Sequence, residues 1–208
     1  MPRDPEPTRT KLVDAALHLF ATRGLGVSLD EITRAAGQRN NASVQYHFDN
    51  KAGLLRAVLQ RNRVGPASRL YQLLQIARSR PGDLRALAAV IVLPTTECLA
   101  TPATRAYLRI VAAIVTDATQ SDPQIVELLG DPLHGEIAKT LTDWQHLRPV
   151  IARERVHLLT AMVLHVSADR ARLRDDMERS PSAMSDQRFV ANLLDICTAA
   201  LAADVTRT

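Results

Sequence analysis

The chain has 208 residues, of which 46% are hydrophobic and 23% charged, a composition typical of a folded protein rather than a disordered one. It contains no run of about 18 apolar residues, and its N-terminus lacks the apolar region of a signal peptide, so we expect no membrane span and a cytoplasmic location. The net charge of +4 lies entirely in the first 63 residues, which hold ten basic and six acidic residues against 16 of each in the remainder, so a polyanion should approach that end.

The first two helices are predicted from apolar spacing and from residues that begin or end helices. After Thr8, apolar residues recur three and four apart, which predicts one amphipathic helix that Gly24 can end. These residues are Leu12, Ala15, Ala16, Leu19 and Phe20. Ser28 followed by Glu31 forms a capping box for a second helix of about two turns, and Gly37 suits the left-handed turn after it.

A third short helix should follow, because Asn40 and Asn41 can both cap a helix start. Val44 and Phe48 are spaced four apart and should bury its inner face. The rest of this helix is polar. Its outer face is therefore predicted to be exposed.

A fourth helix is predicted over Lys51 to Val64, with Asp49 and Asn50 before it as caps. Gly65 with the following proline interrupts it. We place the domain boundary at this break, which divides the chain into residues 1–64 and residues 65–208.

The second domain is also predicted to be all-helical, since no segment shows the alternation of a strand. A break is expected at Pro94 within its second helix, and a loop at 180–182. The predicted elements are Ala67–Ser79, Asp83–Ala100, Pro102–Gln120, a short turn from Gln124, Pro132–His146, Pro149–Met177 and Asp186 to about Ala203.

The second and third helices can form a helix-turn-helix, the motif whose second helix enters the major groove of DNA. Ala35 and Ala36 are small enough to allow close approach. On spacing alone, however, an ordinary corner between two core helices is equally compatible with this pattern.

The segment from Thr8 to Arg63 resembles the DNA-binding region of the TetR family of bacterial repressors. The resemblance rests on many ordered positions, which makes a chance match improbable. They are Thr8 and Arg9, Ala15, Ala16 and Phe20, Gly24, the run Val27 to Ile32, Ala35-Ala36-Gly37, Tyr46-His47-Phe48, Lys51, Leu54 and Leu55. One residue more than the commonest family spacing separates Gly37 from Tyr46, which should lengthen the turn.

The resemblance implies that the third helix faces DNA and that its flanks hold the phosphate backbone. Gln45 is the favoured base reader, because glutamine pairs bidentately with adenine. Lys51 resembles the family's phosphate anchor, and Arg39 and Asn40 can reach either bases or backbone. His47 suits packing or phosphate contact. The expected DNA contacts are Thr8, Arg9, Arg39, Asn40, Asn41, Ser43, Gln45, Tyr46, His47 and Lys51.

The family's larger domain binds ligand and forms the dimer, and the last two long helices of this chain match its dimer elements. The final helix carries a broad apolar stripe suited to a four-helix interface, although burial within one protomer would require the same stripe. The expected interface residues are Phe189, Val190, Leu193, Leu194, Cys197 and Leu201. A two-fold dimer would present two recognition helices about 34 Å apart to a pseudo-palindromic operator.

A small-molecule inducer is expected to shift such a dimer between DNA-competent and DNA-incompetent states. Candidate ligand contacts are the scarce large or polar residues within apolar helices, since pockets are mostly apolar with few polar anchors. They are Glu97, Tyr107, Trp144, Met162 and His165. The aromatic content of 3% argues against an aromatic-rich multidrug cavity and leaves aliphatic ligands open.

An enzyme, a metal site and a cofactor site are not indicated. Asp143 with His146, and His157 with His165, are pairs too small to form a metal site, and no phosphate-binding glycine loop is present. The two cysteines, Cys98 and Cys197, suit buried positions in a reducing compartment rather than a disulfide. A DNA-binding repressor or scaffold without a ligand stays an alternative.

Overall fold

The computed structural model describes residues 5–63, 67–116, 123–129, 134–176 and 184–205. Within these ranges all regular secondary structure is α-helical, which confirms the predicted fold class. The helices are α1 Pro5–Arg23, α2 Leu29–Ala35, α3 Ala42–Phe48, α4 Lys51–Asn62, α5 Ala67–Arg78, α6 Leu84–Glu97, α7 Pro102–Thr116, α8 Pro123–Leu129, α9 His134–Gln145, α10 Pro149–Asp175 and α11 Asp186–Ala202.

These helices form two compact units. The first contains α1 to α4 together with α7 and α8, and the second contains α5, α6, α9, α10 and α11. The sequence placed α7 and α8 in the domain of residues 65–208, whereas α7 packs against α1 and α4, and α8 packs against α4. The boundary near residue 65, as a division between functional domains, stays a prediction.

The first unit is built on α1, whose apolar stripe packs against α2, α3, α4 and α7. Leu12 and Phe20 of α1 are buried, as their spacing predicted. Ile32 of α2, Leu54 of α4 and Ile110 of α7 complete the centre of this core. Burial of such large side chains stabilises a fold by about 1.5–3 kcal/mol each, so this core holds the short helices α2 and α3 in place.

The second unit packs α11 against α6 and α10 against α9. At one end of α10, the buried Arg170 donates to the carboxylate of Asp186 from Nε at 3.1 Å and Nη2 at 3.0 Å. Near the other end, Arg155 donates to the carbonyl oxygen of Leu201 at 3.0 Å. The two long C-terminal helices are thus antiparallel and joined near both ends.

The helix boundaries differ from the predicted ones at several points. Helix α6 runs through Pro94, where a break was predicted, and ends three residues later at Glu97. The proline removes the backbone donor that would bond to the Val90 carbonyl, and the helix nevertheless continues. Thr95 and Thr96 add hydroxyl bonds to the carbonyls of Ile91 and Val92 in the same turn. The turn expected from Gln124 is the helix α8, and α1 begins before Thr8, at Pro5.

Some predicted features lie outside the described residues. They are the loop at 180–182 and the predicted ends at Val64, Gln120, Pro132 and Met177. No single described helix is long and apolar enough to cross a membrane; α6 and α7 reach that length and apolarity only when taken together.

Candidate nucleic-acid interface

Helix α2 begins with the predicted capping box, which the structure confirms. The backbone amide of Ser28 donates to the Glu31 carboxylate at 2.9 Å, and the amide of Glu31 donates to the Ser28 hydroxyl oxygen at 3.3 Å. Arg23, at the end of α1, pairs with the same carboxylate at 2.5 Å. The Ser28 hydroxyl also donates to this carboxylate, at 2.8 Å. The bonds from the Ser28 backbone amide and hydroxyl, and then Arg23, lower the pKa of Glu31 from its ordinary 4.5 to about 2, so this carboxylate stays ionised at neutral pH.

Helix α2 ends in a Schellman motif centred on Gly37, which has a φ of +70°. The amide of Gln38 donates to the Thr33 carbonyl at 2.9 Å, and the amide of Gly37 donates to the Arg34 carbonyl at 3.0 Å. The predicted left-handed turn at Gly37 is confirmed. The start and end of α2 are therefore both fixed by local hydrogen bonds.

Helix α3 presents a polar outer face and an apolar inner face. Val44 and Phe48 are buried in the first-unit core, as predicted. Gln45 and Tyr46 are exposed, and 78% of the Tyr46 surface is accessible. A tyrosine that is so exposed on a seven-residue helix is suited to contact with another macromolecule.

The turn between α2 and α3 uses its two asparagines differently. Asn40 accepts a bond from the amide of Ala42 at 3.1 Å and so caps the start of α3. Asn41 occupies the N-cap position without a side-chain cap bond. Its amide group instead bonds to two residues of α2, Thr33 and Asp30. Asn41 thus occupies the N-cap position, while the capping side-chain bond comes from Asn40.

The junction between α3 and α4 is tight. Asp49 has φ 64° and ψ −45°, and the amide of Asn50 donates to the carbonyl of Phe48 at 2.7 Å, which together form a γ-turn. Asn50 caps α4 by accepting from the Gly53 amide at 2.9 Å, as predicted. The direction of α3 relative to α4 is therefore set by strained but hydrogen-bonded backbone.

Lys51 bonds within the first unit. Its Nζ donates to the carbonyl oxygen of Leu25 at 2.5 Å and lies 5.9 Å from the centre of the Phe20 ring. Desolvation lowers the pKa of this ammonium, while nearby Glu31 opposes the shift. An ammonium has three donors, so a phosphate contact from Lys51 would be made beside this bond rather than in its place.

Arg9 on α1 and His47 on α3 are both half-buried. The Arg9 guanidinium carbon lies 5.5 Å from the centre of the Phe48 ring, which links α1 to the end of α3. The His47 ring packs edge-on to Tyr46 at 4.9 Å and lies 5.9 Å from the Phe48 ring. Both side chains therefore combine packing with a position next to the exposed face.

The remaining predicted DNA contacts divide by exposure. Arg39 in the turn is exposed, whereas Ser43 and Thr8 are half-buried. Together with Gln45 and Tyr46, Arg39 and Asn40 give α3 and the turn before it their exposed polar surface.

The residues expected at a ligand pocket do not form one described cluster. Tyr107 lies in the first unit, half-buried against its core. Trp144 and Met162 both pack against the second-unit core, and His165 is half-buried on α10. Glu97 is exposed and pairs with Arg69 at 3.4 Å. Ligand contact by these five residues stays a prediction.

The residues expected at a dimer interface are partly used inside the protomer. Leu193, Cys197 and Leu201 are buried in the second-unit core, and Phe189, Val190 and Leu194 are half-buried against it. Ile196 on α11 and Leu158 on α10 are exposed. Contact of the six predicted residues with a second protomer stays a prediction.

The histidine and cysteine positions give no indication of a metal site or of a reactive thiol. Among the described residues, no group of three or more His, Cys, Asp or Glu side chains could hold a metal ion. Cys98 and Cys197 are both buried, as predicted, and burial raises the pKa of Cys98 to about 12 and that of Cys197 to about 11. Both thiols are therefore protonated and unreactive at neutral pH.

Two residues that hold this site together were not predicted from the sequence. Thr33 is buried beside Ile32 on α2. A hydroxyl group at such a buried position needs a hydrogen-bond partner inside the protein. Gly53 lies inside the first turn of α4, where glycine is unfavourable unless backbone approaches closely. In both cases the residue type conflicts with the local sequence pattern, and this conflict could have identified the residue from the sequence.

Residues 12–58 match the family described as bacterial regulatory proteins, tetR family. The chain is 44% identical over 55 residues to the HTH-type transcriptional regulator SrpR of Pseudomonas putida, covering 26% of this chain and 25% of SrpR. It is 43% identical over 53 residues to the uncharacterized HTH-type transcriptional regulator TtgW, also of Pseudomonas putida, covering 25% of this chain and 39% of TtgW. The matched segments thus span well under half of these relatives.

Similarity over the whole chain is found among solved structures. NalD, the secondary repressor of the MexAB-OprM multidrug efflux pump in Pseudomonas aeruginosa, aligns with a TM-score of 0.62 at 24% identity. The alignment covers 95% of this chain and 98% of NalD. At this identity the likeness concerns the fold.

Proposed function

The chain belongs to the TetR family of bacterial regulatory proteins by its N-terminal helix-turn-helix, and on that premise we propose that it is a homodimeric transcriptional repressor released from a pseudo-palindromic operator by a small-molecule inducer. The observation that carries this proposal is α3, where Gln45 and Tyr46 are exposed while Val44 and Phe48 are buried. Regulators of this family are DNA-binding transcription factors and not enzymes.

Sequence reading is assigned to the exposed face of α3 and to the turn before it. Gln45 has the two-pronged amide that pairs with the N6 and N7 edge of adenine. Tyr46 can donate its hydroxyl or pack its ring against a thymine methyl group. Arg39, exposed in the turn, can reach guanine or a phosphate.

Phosphate binding is assigned to residues around the recognition helix, in the part of the chain that holds the whole positive excess. Ser43 and His47 on α3, Thr8 and Arg9 on α1, and Lys51 on α4 flank the exposed face. Each phosphate neutralised by a cation releases counterions from DNA, which makes binding strongly salt-dependent.

Dimerisation is assigned to α10 and α11, on faces that the protomer leaves exposed. Leu158 on α10 is 63% exposed and Ile196 on α11 is 44% exposed. Burial of these apolar side chains against a second copy would stabilise association. A two-fold axis would then place the two copies of α3 on successive turns of one DNA face.

Inducer release is assigned to the second unit. Trp144 and Met162 contact its core, and His165 lies one turn of α10 beyond Met162. A ligand held by such residues shifts DNA affinity only if it binds one conformation of the dimer more tightly than the other. The repressor direction is supported by NalD, which is described as a repressor. We place the protein in the cytoplasm, where its DNA target lies.

The proposal is tested by fluorescence anisotropy of the purified full chain on duplex DNA from upstream of its own gene. A shuffled duplex of the same composition serves as the control. Tight binding to the upstream duplex, at least about 100-fold above the shuffled one at roughly physiological salt, is the expected result for a specific regulator. Equally weak, salt-sensitive binding to both duplexes, and to duplexes selected from a random pool, contradicts operator reading.

A further inference from the structure

We propose that Asn41 is a positioning residue that braces the recognition helix α3 against α2 and does not itself contact DNA. This inference rests on the proposed function, since it assigns α3 as the recognition helix. It replaces the sequence-based expectation that Asn41 contacts the operator.

Both ends of the Asn41 side-chain amide form hydrogen bonds to α2. Its Oδ1 accepts a hydrogen bond from the Thr33 hydroxyl at 2.7 Å, and its Nδ2 donates to a carboxylate oxygen of Asp30. A carboxylate can only accept, so the NH₂ group must face Asp30 and the carbonyl must face Thr33. The two partners fix the amide in one orientation.

The Thr33 partner of Asn41 is buried. Thr33 is only 2% exposed, so its hydroxyl has little access to water and depends on Asn41 as its acceptor. A buried donor that loses its partner is costly, which makes this contact hard to break. The brace is therefore anchored at a point that DNA cannot reach.

Asn41 also occupies the N-cap position of the recognition helix. It directly precedes α3, and its backbone carbonyl accepts the first helical bond of α3, from Gln45 at 3.0 Å. Asn40 supplies the side-chain cap, which leaves the Asn41 side chain free to bind α2. The start of α3, and with it the direction of the exposed Gln45 and Tyr46, is therefore set by Asn41.

The experiment measures backbone amide hydrogen exchange of the full chain without DNA. We expect Asn41→Ala and Thr33→Val each to raise exchange across residues 42–48 by about tenfold, the equivalent of one buried hydrogen bond. Thr22→Val is the matched control, because the Thr22 hydroxyl is exposed and bonds to the carbonyl of His18 in its own helix. Unchanged exchange in α3 for both variants overturns the brace.

A swap of donor and acceptor makes the test independent of loss of folding. Asn41→Asp places a second carboxylate against Asp30, and Asp30→Asn in the same chain restores one amide and one carboxylate with the net charge unchanged. The single variant should show faster exchange in α3, and the double variant should return it to the wild-type value. Failure of the double variant to restore slow exchange contradicts the pairing.

DNA-binding measurements distinguish a positioning role of Asn41 from direct contact with a base. Asn41→Ala and Thr33→Val should each weaken binding by a similar factor on the operator and on every operator with one base pair substituted. The chain that carries both Asn41→Ala and Thr33→Val should bind no more weakly than either single variant. An Asn41 that reads a base would instead relax preference at one base pair and add to the effect of Thr33→Val, which overturns the proposal. If the wild-type chain binds no duplex, the proposed function fails while the exchange measurement still decides the brace.

Discussion

Gly53 lies so close to the carbonyl oxygen of Phe48 that a Cβ at position 53 would be 1.9 Å from that oxygen. Phe48 ends the recognition helix and Gly53 lies in the first turn of the next helix. The contact thus allows α3 and α4 to meet at their observed angle.

The first prediction concerns this contact. Gly53→Ala must displace either the end of α3 or the start of α4, so we expect a loss of about 1–3 kcal/mol in the free energy of unfolding and a weaker complex with operator DNA. Gly26→Ala is the control, because nothing lies within 4 Å of a Cβ at that position. Urea unfolding and anisotropy measure the two effects. Equal behaviour of the two variants would show that the junction tolerates a methyl group.

The second prediction concerns base reading by Gln45. Gln45→Ala removes an exposed amide on the outer face of α3, so the free energy of unfolding should be unchanged. Binding to the operator should weaken by about 1–3 kcal/mol, while binding to the shuffled duplex stays the same. Equal weakening on both duplexes would indicate that Gln45 contacts the phosphate backbone of DNA instead of a base.

The third prediction concerns phosphate binding by Lys51. Lys51→Met keeps the aliphatic length and removes the charge, so binding to every duplex should weaken and the slope of log K against log salt should fall by about one. Lys139→Met removes the same charge from an exposed position in the second unit and should leave the slope unchanged. An unaltered salt slope in Lys51→Met would show that Lys51 binds no phosphate and serves only in its bond to the Leu25 carbonyl.

The fourth prediction concerns the dimer. Leu158→Glu places a charge on a surface that we assign to the interface, so sedimentation should show monomers, and operator affinity should drop because a monomer reaches only one half-site. Ile76→Glu is the control, since Ile76 is 47% exposed on α5, outside the assigned surface. A dimer that survives Leu158→Glu would place the interface on another face.

The fifth prediction concerns the pH dependence of folding. Because the folded pKa of Glu31 lies near 2 instead of 4.5, its ionised form stabilises the fold above about pH 4.5, and this contribution is lost as the pH falls toward 2. Glu31→Gln should therefore be less stable than wild type at about pH 6 and equally stable near pH 2. Urea unfolding over this range measures the difference. A constant difference at all pH values would exclude ionisation as its cause.

The fold could be predicted from sequence where one local rule decided the structure. Capping at Ser28 and Asn50, the turn at Gly37 and the buried pair Val44 and Phe48 depend on residues within a few positions of one another. Helix boundaries were less predictable at Pro94, because the packing of α6 in the second-unit core overrides the local tendency of proline to break a helix.

The parts of the site that could not be predicted depend on contacts between elements. The bonds of Asn41 to Asp30 and Thr33 join residues 11 and eight positions apart in the chain, and Lys51 reaches the carbonyl of Leu25 across 26 positions. No local pattern distinguishes such an asparagine from a cap or such a lysine from a phosphate anchor. The packing of α7 against α1 and α4 could not be predicted for the same reason.

The central claim is that the exposed face of α3 reads an operator as part of a two-fold dimer. Selection of duplexes from a random pool by the purified full chain, followed by sequencing, tests it most directly. We expect enrichment of an inverted repeat whose half-sites lie about one helical turn apart, roughly 34–36 Å between centres, and loss of that enrichment in Gln45→Ala. Recovery of no common sequence, or of an asymmetric site that Gln45→Ala selects equally well, would contradict it.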